Sequence, residues 1–210
     1  MFDPTMFGYK TFIQRHFHSC FKRFQLKKAI KSIIFIRYWK RKLNNLREKG
    51  IFFVNEGLAN RCLKNYNTFS GHLKKFDIQN KRILLKIDIE GNEYPVLKED
   101  SFYKYLDNVN QIIVEFHDLK NRLRDVYAII KKFNTSFDIV HIHGNNYSGT
   151  FILLGEEAEN DIILPDVMEV TLAKREGIRK EDIDNSIVCY PIPGLDFPNN
   201  LKCRDYELKF

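Results

Sequence analysis

The stretch Leu84-Leu-Lys-Ile-Asp-Ile-Glu-Gly-Asn-Glu-Tyr-Pro-Val-Leu97 constrains the fold more than any other part of this 210-residue chain. An apolar run stops at two carboxylates and a glycine, and a pattern of helical spacing follows. A buried strand is limited to a few residues, and its next residue must turn. Charge placed at that turn lies at the carboxyl end of the strand, where open α/β sheets bind their ligands. Gly91 is suited to the turn because it has no side chain to restrict φ.

The same alternation continues downstream. The pattern predicts strands at Arg82–Ile89, Gln111–Phe116 and Phe137–His143, with helices at 67–77, Glu93–Leu106 and Leu123–Phe133. Strands alternating with helices of this length predict βαβ units and a mostly parallel sheet. Right-handed crossovers bring the three carboxyl ends to one edge. Val167–Leu172 alternates as a late strand, expected to be antiparallel. Ile51–Val54 reads as a short buried strand closed by Gly57, and the Pro-containing tail reads as extended.

Charge divides the chain. Between Lys10 and Lys49 there are thirteen Lys and Arg against one acid, Glu48, and no Gly or Pro. Phe17, Phe21 and Phe24 recur at helical spacing. Residues 1–50 therefore read as a basic, helical segment or insertion, and 51–210 as the α/β domain. An amphipathic basic helix suits an anionic membrane surface. A helix packed on the sheet with solvated bases is the plain reading, ahead of the membrane surface, and a nucleic-acid contact, with Phe12, Tyr38 and Trp39 to stack, is the least favoured. The longest apolar run near the start, Ile33–Ile36, is far below the ~20 residues of a membrane span. Cys20, Cys62, Cys189 and Cys203 are widely spaced, as expected for reduced thiols in a cytoplasmic protein, with the membrane periphery as a second location.

The predicted strand ends carry similar side chains. Asp88 and Glu90 follow the first, Glu115 and His117 the second, and His141, His143, Asn145 and Asn146 the third. Alternate strand residues share a face, so these pairs converge on one crevice. A carboxylate or a neutral imidazole there can take a proton from an attacking hydroxyl. Two histidines and a carboxylate can instead ligate a divalent metal, with Asp88, His117 and His143 as candidates. Such groups also serve as buried structural pairs, a reading that the sequence leaves open.

Lys86-Ile-Asp-Ile-Glu-Gly-Asn-Glu93 closely resembles the signature of FkbM-type methyltransferases, which use S-adenosylmethionine. Ile-Ile-Val-Glu-Phe-His117, His141–Asn146 with Pro165–Thr171, and Leu195–Asn199 resemble further blocks of that family, so the resemblance spans about residues 51–210. It implies a Rossmann-like class I methyltransferase sheet with a late antiparallel strand. It also implies O-methylation of a sugar hydroxyl, as in bacterial glycan modification, or of a similar small polar acceptor. By the resemblance, Lys86, Asp88 and Gly91 lie at the donor and Asp88 and His117 handle the proton. Glu90, Glu115, His143, Asn145 and Asn146 position the acceptor or a metal. The family's first strand and its Gly-rich loop have no counterpart in the first eighty residues. Met1–Thr5 is similar to the end of its second strand, with Asp3 as the match to the ribose-binding acid. The expectation is thus an N-terminally truncated methyltransferase. A methyltransferase-like remnant serving as a binding or scaffold protein is the alternative.

Overall fold

The structure is a computed structural model; it describes residues 34–35, 37–38, 40–42, 44–46, 48–51, 54–155, 161–177 and 189–209. The chain divides into two compact units, Phe2–Gly57 and, apart from Met1, Leu58–Phe210. In the first unit, the described residues between 34 and 48 are helical, as the unbroken, Gly-free pattern predicts. Ile51 is exposed, and neither it nor Val54 belongs to a strand; Phe52 and Phe53, the middle of the short buried strand expected there, lie outside the described residues. Phe12, Phe17, Phe21, Phe24 and Trp39 lie outside the described residues, as does Asp3.

The first helix of the second unit, α1 (Phe69–Lys75), follows a two-residue strand at Tyr66–Asn67, and its N-cap Thr68 accepts a hydrogen bond from the Gly71 N–H. Strand β1 (Ile83–Ile87) then leads into the short helices α2 (Glu93–Leu97) and α3 (Asp100–Tyr103). Strand β2 (Val109–Phe116) precedes the long helix α4 (Leu119–Phe133). Strand β3 (Phe137–Gly144) is followed by a hairpin of β4 (Thr150–Leu153) and β5 (Ile162–Pro165), and then by β6 (Met168–Lys174). Two-residue strands β7 (Cys189–Tyr190) and β8 (Leu208–Lys209) pair antiparallel in the tail.

The central sheet has the order β1-β2-β6-β3. β1 and β2 are parallel, and β6 is antiparallel to both β2 and β3. Three strands therefore share one direction, and the late strand inserts between the second and the third with the opposite one. This mixed α/β sheet is compatible with a methyltransferase fold.

Alternation in β2 explains how the sheet is anchored. Ile112, Val114 and Phe116 are fully buried, while Ile113 and Glu115 are intermediate. α4 contributes Leu119, Val126, Ile129 and Phe133 to the same core, at spacings of three, four and seven that align one helical face. β6 adds Met168, Val170 and Leu172. Burying a side chain of this size stabilises by roughly 1.5–3 kcal/mol, which ties β2 and β6 to the centre of the fold.

Two expected boundaries shift for local reasons. The helix read as Glu93–Leu106 breaks into α2 and α3 because Glu99 is extended (ψ 123°). The helix read as Leu123–Phe133 starts at Leu119, because Asp166 satisfies its first donors. Leu119 N–H bonds the Asp166 carbonyl (3.0 Å), and Lys120 N–H bonds its Oδ1 (3.0 Å). That capping group comes from the β5–β6 turn, and nothing local to residues 117–122 signals it.

Candidate functional site

β1 and β2 are parallel neighbours, with Lys86 opposite Ile113 and Ile87 opposite Val114. β6 places Glu169 opposite Glu115 on one side and opposite His143 on the other. Paired residues share a face, so the carboxyl ends of β1, β2 and β3 and the start of β6 deliver one polar row. Asp88, Glu115, Glu169 and His143 run along it. Asn145, just beyond β3, donates from Nδ2 to Glu115 Oε1 at 2.8 Å. Lys86 crosses the row to Glu169 (Nζ to Oε2, 2.7 Å).

The turn after β1 bends toward β2. Glu90 and Gly91 both have positive φ (54° and 90°). Left-handed backbone costs a non-glycine residue energy, so the turn depends on the contacts that hold it. Glu93 supplies them. Its carboxylate, completely buried, accepts from Gly91 N–H (Oε2, 2.9 Å) and from His117 N–H (Oε1, 2.9 Å). The same Oε1 lies 3.2 Å from His117 Nδ1. Tyr94 adds a bond from its hydroxyl to the His117 carbonyl. One buried acid thus locks the β1 turn to the end of β2 and fixes the imidazole ring.

With Nδ1 held by Glu93, His117 turns Nε2 toward Glu90, whose Oε2 is 3.5 Å away. Asp88, Glu90 and His117 each offer a ligand atom, all within 4.8 Å of one another. Glu93 raises the affinity of the imidazole for a proton above its ordinary value, against the opposing effect of burial. Burial raises the Glu115 carboxyl above the usual carboxylate range, and the neighbouring Asp88 reinforces the shift.

The remaining sequence-predicted residues have other partners. His143 Nε2 is 2.9 Å from Asp205 Oδ2, and His141 Nε2 is 3.0 Å from Asp196 Oδ1. Both histidines are thereby tied to the C-terminal tail, and the structure brings Glu90 rather than His143 to Asp88 and His117. Asn146, buried, donates from Nδ2 to the carbonyls of Asn200, Cys203 and Arg204 and accepts from Asn200 N–H. It holds the tail in place and does not contact the Asp88 cluster. Gly91 sits in the turn that presents Glu90. Sequence reasoning passed over Glu93, Glu169, Asp196 and Asp205. Glu93 had a signal, since it lies two residues past the Gly91 turn, and Asp196 lies in the Leu195–Asn199 block; Asp205 had none.

The described residues fit the reacting end of a cationic methyl donor, since Asp88 and Glu90 are carboxylates at the open edge of the sheet. They include no Gly-rich loop to cradle an adenosine. No curated protein and no solved structure matches the chain. The family match covers less of the chain than the resemblance read from the motifs, leaving Pro165–Thr171 and Leu195–Asn199 outside it. Residues 66–143, which carry Asp88, Glu90, Glu93, Glu115 and His117, match the methyltransferase FkbM domain, so this segment of the chain is similar to that domain.

Proposed function

We propose that this chain is an O-methyltransferase that uses S-adenosylmethionine and acts on a sugar hydroxyl or a similar small polar acceptor. The observation that carries the reading is the convergence of Asp88, Glu90, Glu115 and His117 at the ends of two parallel strands. Both strands lie within the segment that matches a methyltransferase domain. S-adenosylmethionine, when bound, supplies a methyl group on an electrophilic sulfonium.

The chain's own residues have the remaining tasks. Transfer forms an oxygen–carbon bond, breaks a sulfur–carbon bond and releases the hydroxyl proton. Asp88 is the candidate to accept that proton, with His117 Nε2 beside it as a second carrier. Glu90, exposed at the rim, and Glu115, held by Asn145, orient acceptor hydroxyls by hydrogen bonding. Lys86 restrains Glu169 below them. His143 and Asn146 support the site through the tail.

The test supplies radiolabelled S-adenosylmethionine and a panel of monosaccharides and nucleotide sugars. Label should enter an acceptor with the parent chain and be lost with Asp88→Asn at an unchanged melting temperature. Undiminished transfer by Asp88→Asn removes Asp88 from the mechanism. An intact fold that neither binds nor uses the donor favours the methyltransferase-like binding protein.

We also infer that the basic segment 10–49 meets an anionic membrane surface. No helix among the described residues is long and apolar enough to cross a bilayer. Charge attraction of this kind weakens with salt. Flotation with phosphatidylserine vesicles should fall steeply between low and high salt. Recovery of the chain with RNA but not with vesicles would reverse the assignment.

A further inference from the structure

The side chains of Asp88, Glu90 and His117 come from the turn after β1 and the residue after β2, and they converge from two directions. Oxygen and imidazole ligands of a small divalent cation lie ~2.1 Å from it. Two such ligands therefore stand about 3 Å apart at right angles and about 4 Å apart when opposite. The Glu90 Oε2 to His117 Nε2 separation, 3.5 Å, falls between these limits. The widest spacing allowed in the cluster, 4.8 Å, slightly exceeds them.

An independent feature lies behind the histidine. Glu93 does not belong to the cluster and is completely buried, yet it spends its carboxylate on His117 Nδ1 and on two backbone N–H groups. Histidines that ligate metals characteristically donate their other ring nitrogen to a carboxylate or carbonyl, which fixes the tautomer and aims the free nitrogen. A hydrogen bond to Glu93 leaves Nε2 unprotonated in the neutral ring and facing Asp88 and Glu90. Local charge points the same way. Asp88, Glu90, Glu93 and Glu115 crowd one sheet edge, and Lys86 among them is already engaged by Glu169.

We propose that Asp88, Glu90 and His117 form a binding site for one hard divalent cation, Mg2+ or Mn2+, on one side of the ion, leaving its other positions for water and ligand. Two carboxylates with one imidazole suit Mn2+ and Mg2+ better than softer metals, which favour thiolates or several imidazoles. The open positions face the crevice where an acceptor hydroxyl would lie, and with the ion bound His117 Nε2 would serve as a ligand only, leaving the hydroxyl proton to Asp88 through its second oxygen. That last assignment rests on the methyltransferase reading, whereas cation binding does not.

The experiment uses the full chain, stripped with EDTA and desalted, without donor or acceptor. Titration with Mn2+ is followed by the electron paramagnetic resonance signal of the free ion. One Mn2+ per chain should bind saturably, and Mg2+ should displace it. Glu90→Gln and Asp88→Asn should each weaken binding roughly tenfold or more. Glu90 is exposed, so its substitution spares the fold even if changes at His117 do not. Asp125→Asn, on α4 and paired with Lys98 and Arg122 rather than with the cluster, should leave binding unchanged. Absence of saturable binding, or binding indifferent to both Glu90→Gln and Asp88→Asn, overturns the site. Mn2+ binding without methyl transfer keeps the site and removes the function; transfer by EDTA-treated chain that binds no Mn2+ does the reverse.

Discussion

At the scale of single residues, Glu93 decides whether the site exists at all. In the sequence it is one more acid after a turn, and its ordinary reading is a helix first-turn carboxylate favoured by the helix dipole. It does occupy the first turn of α2, but it points inward and is completely buried. A buried carboxylate is tolerated only when its lone pairs are satisfied, and here two backbone N–H groups and an imidazole satisfy them. Removing the acid takes the partner from all three donors, two of them on the half-buried His117. Glu93→Ala should therefore destabilise the domain by about 3 kcal/mol, read by urea denaturation. A loss below about 0.5 kcal/mol would mean that water or a neighbour replaces the carboxylate, and that the turn does not depend on it. Asp88, Glu115 and His117 were legible because alternation fixed their face, whereas Glu90 sits in a left-handed turn that alternation does not describe. The position of Glu93 had a signal but its role did not, because burial of a charge depends on partners 24 residues away.

At the scale of elements, periodicity located β1, β2, β3, β6 and the body of α4. Hairpin β4–β5 was missed, since Asn145–Gly149 and residues 155–161 read as one polar loop around two short apolar runs. The tail contacts were equally invisible, because they depend on where the chain returns. Asn146 concentrates them, with three carbonyls and one N–H from residues 200–204. Asn146→Ala should release that segment and speed its cleavage by a nonspecific protease. The central sheet, which does not use these bonds, should keep its hydrogen-exchange protection. Loss of protection throughout β2 and β6 would contradict this separation. A second connection ties β3 to the end of β6: Arg175 Nη2 donates to Asp138 Oδ1 at 2.7 Å and to the Asn134 carbonyl at 3.0 Å. Hydrogen bonding to Arg175, then its charge, holds the Asp138 carboxyl below its usual range. A lowered folded value means stability that is present above the unfolded value near ~3.9 and lost as pH falls through the folded one. Asp138→Asn should flatten that acid limb of the stability curve by removing, at neutral pH, the small contribution of an exposed pair, while stability below the folded value stays nearly unchanged. An unaltered acid limb would show that the pair contributes nothing in solution.

At the scale of the whole molecule, sequence order misleads in one respect. Consecutive βαβ units suggest that β3 lies beside β2, yet β6 takes that place and pairs with both. The reason is physical: β6 is apolar on its buried face, with Val170 and Leu172 nearly inaccessible, and only a central position covers it. The opposite end of the sheet is less well covered. Among the described residues β1 pairs only with β2, and Leu84 is 61% exposed. Hairpin β4–β5 adds Ile152 and Ile163, directly paired and 58% and 61% exposed, with Leu154 beyond them. Apolar side chains on strands and a strand edge open to pairing both favour self-association, and a charge is the usual remedy. Neither Leu84 nor Ile163 contributes much buried area, so a lysine at either position costs little in the folded monomer, within about 0.5 kcal/mol. The two sites differ in what they would do. Ile163→Lys disrupts contact between apolar faces, whereas Leu84→Lys burdens the β1 edge itself. Sedimentation velocity of each variant over a hundredfold concentration range separates them. Reduced association in Leu84→Lys alone would locate self-pairing at β1, and reduced association in Ile163→Lys alone would locate it at the hairpin. If neither variant sediments differently from the parent, these surfaces do not drive association, and exposed apolar area is a poor guide to the behaviour of this chain.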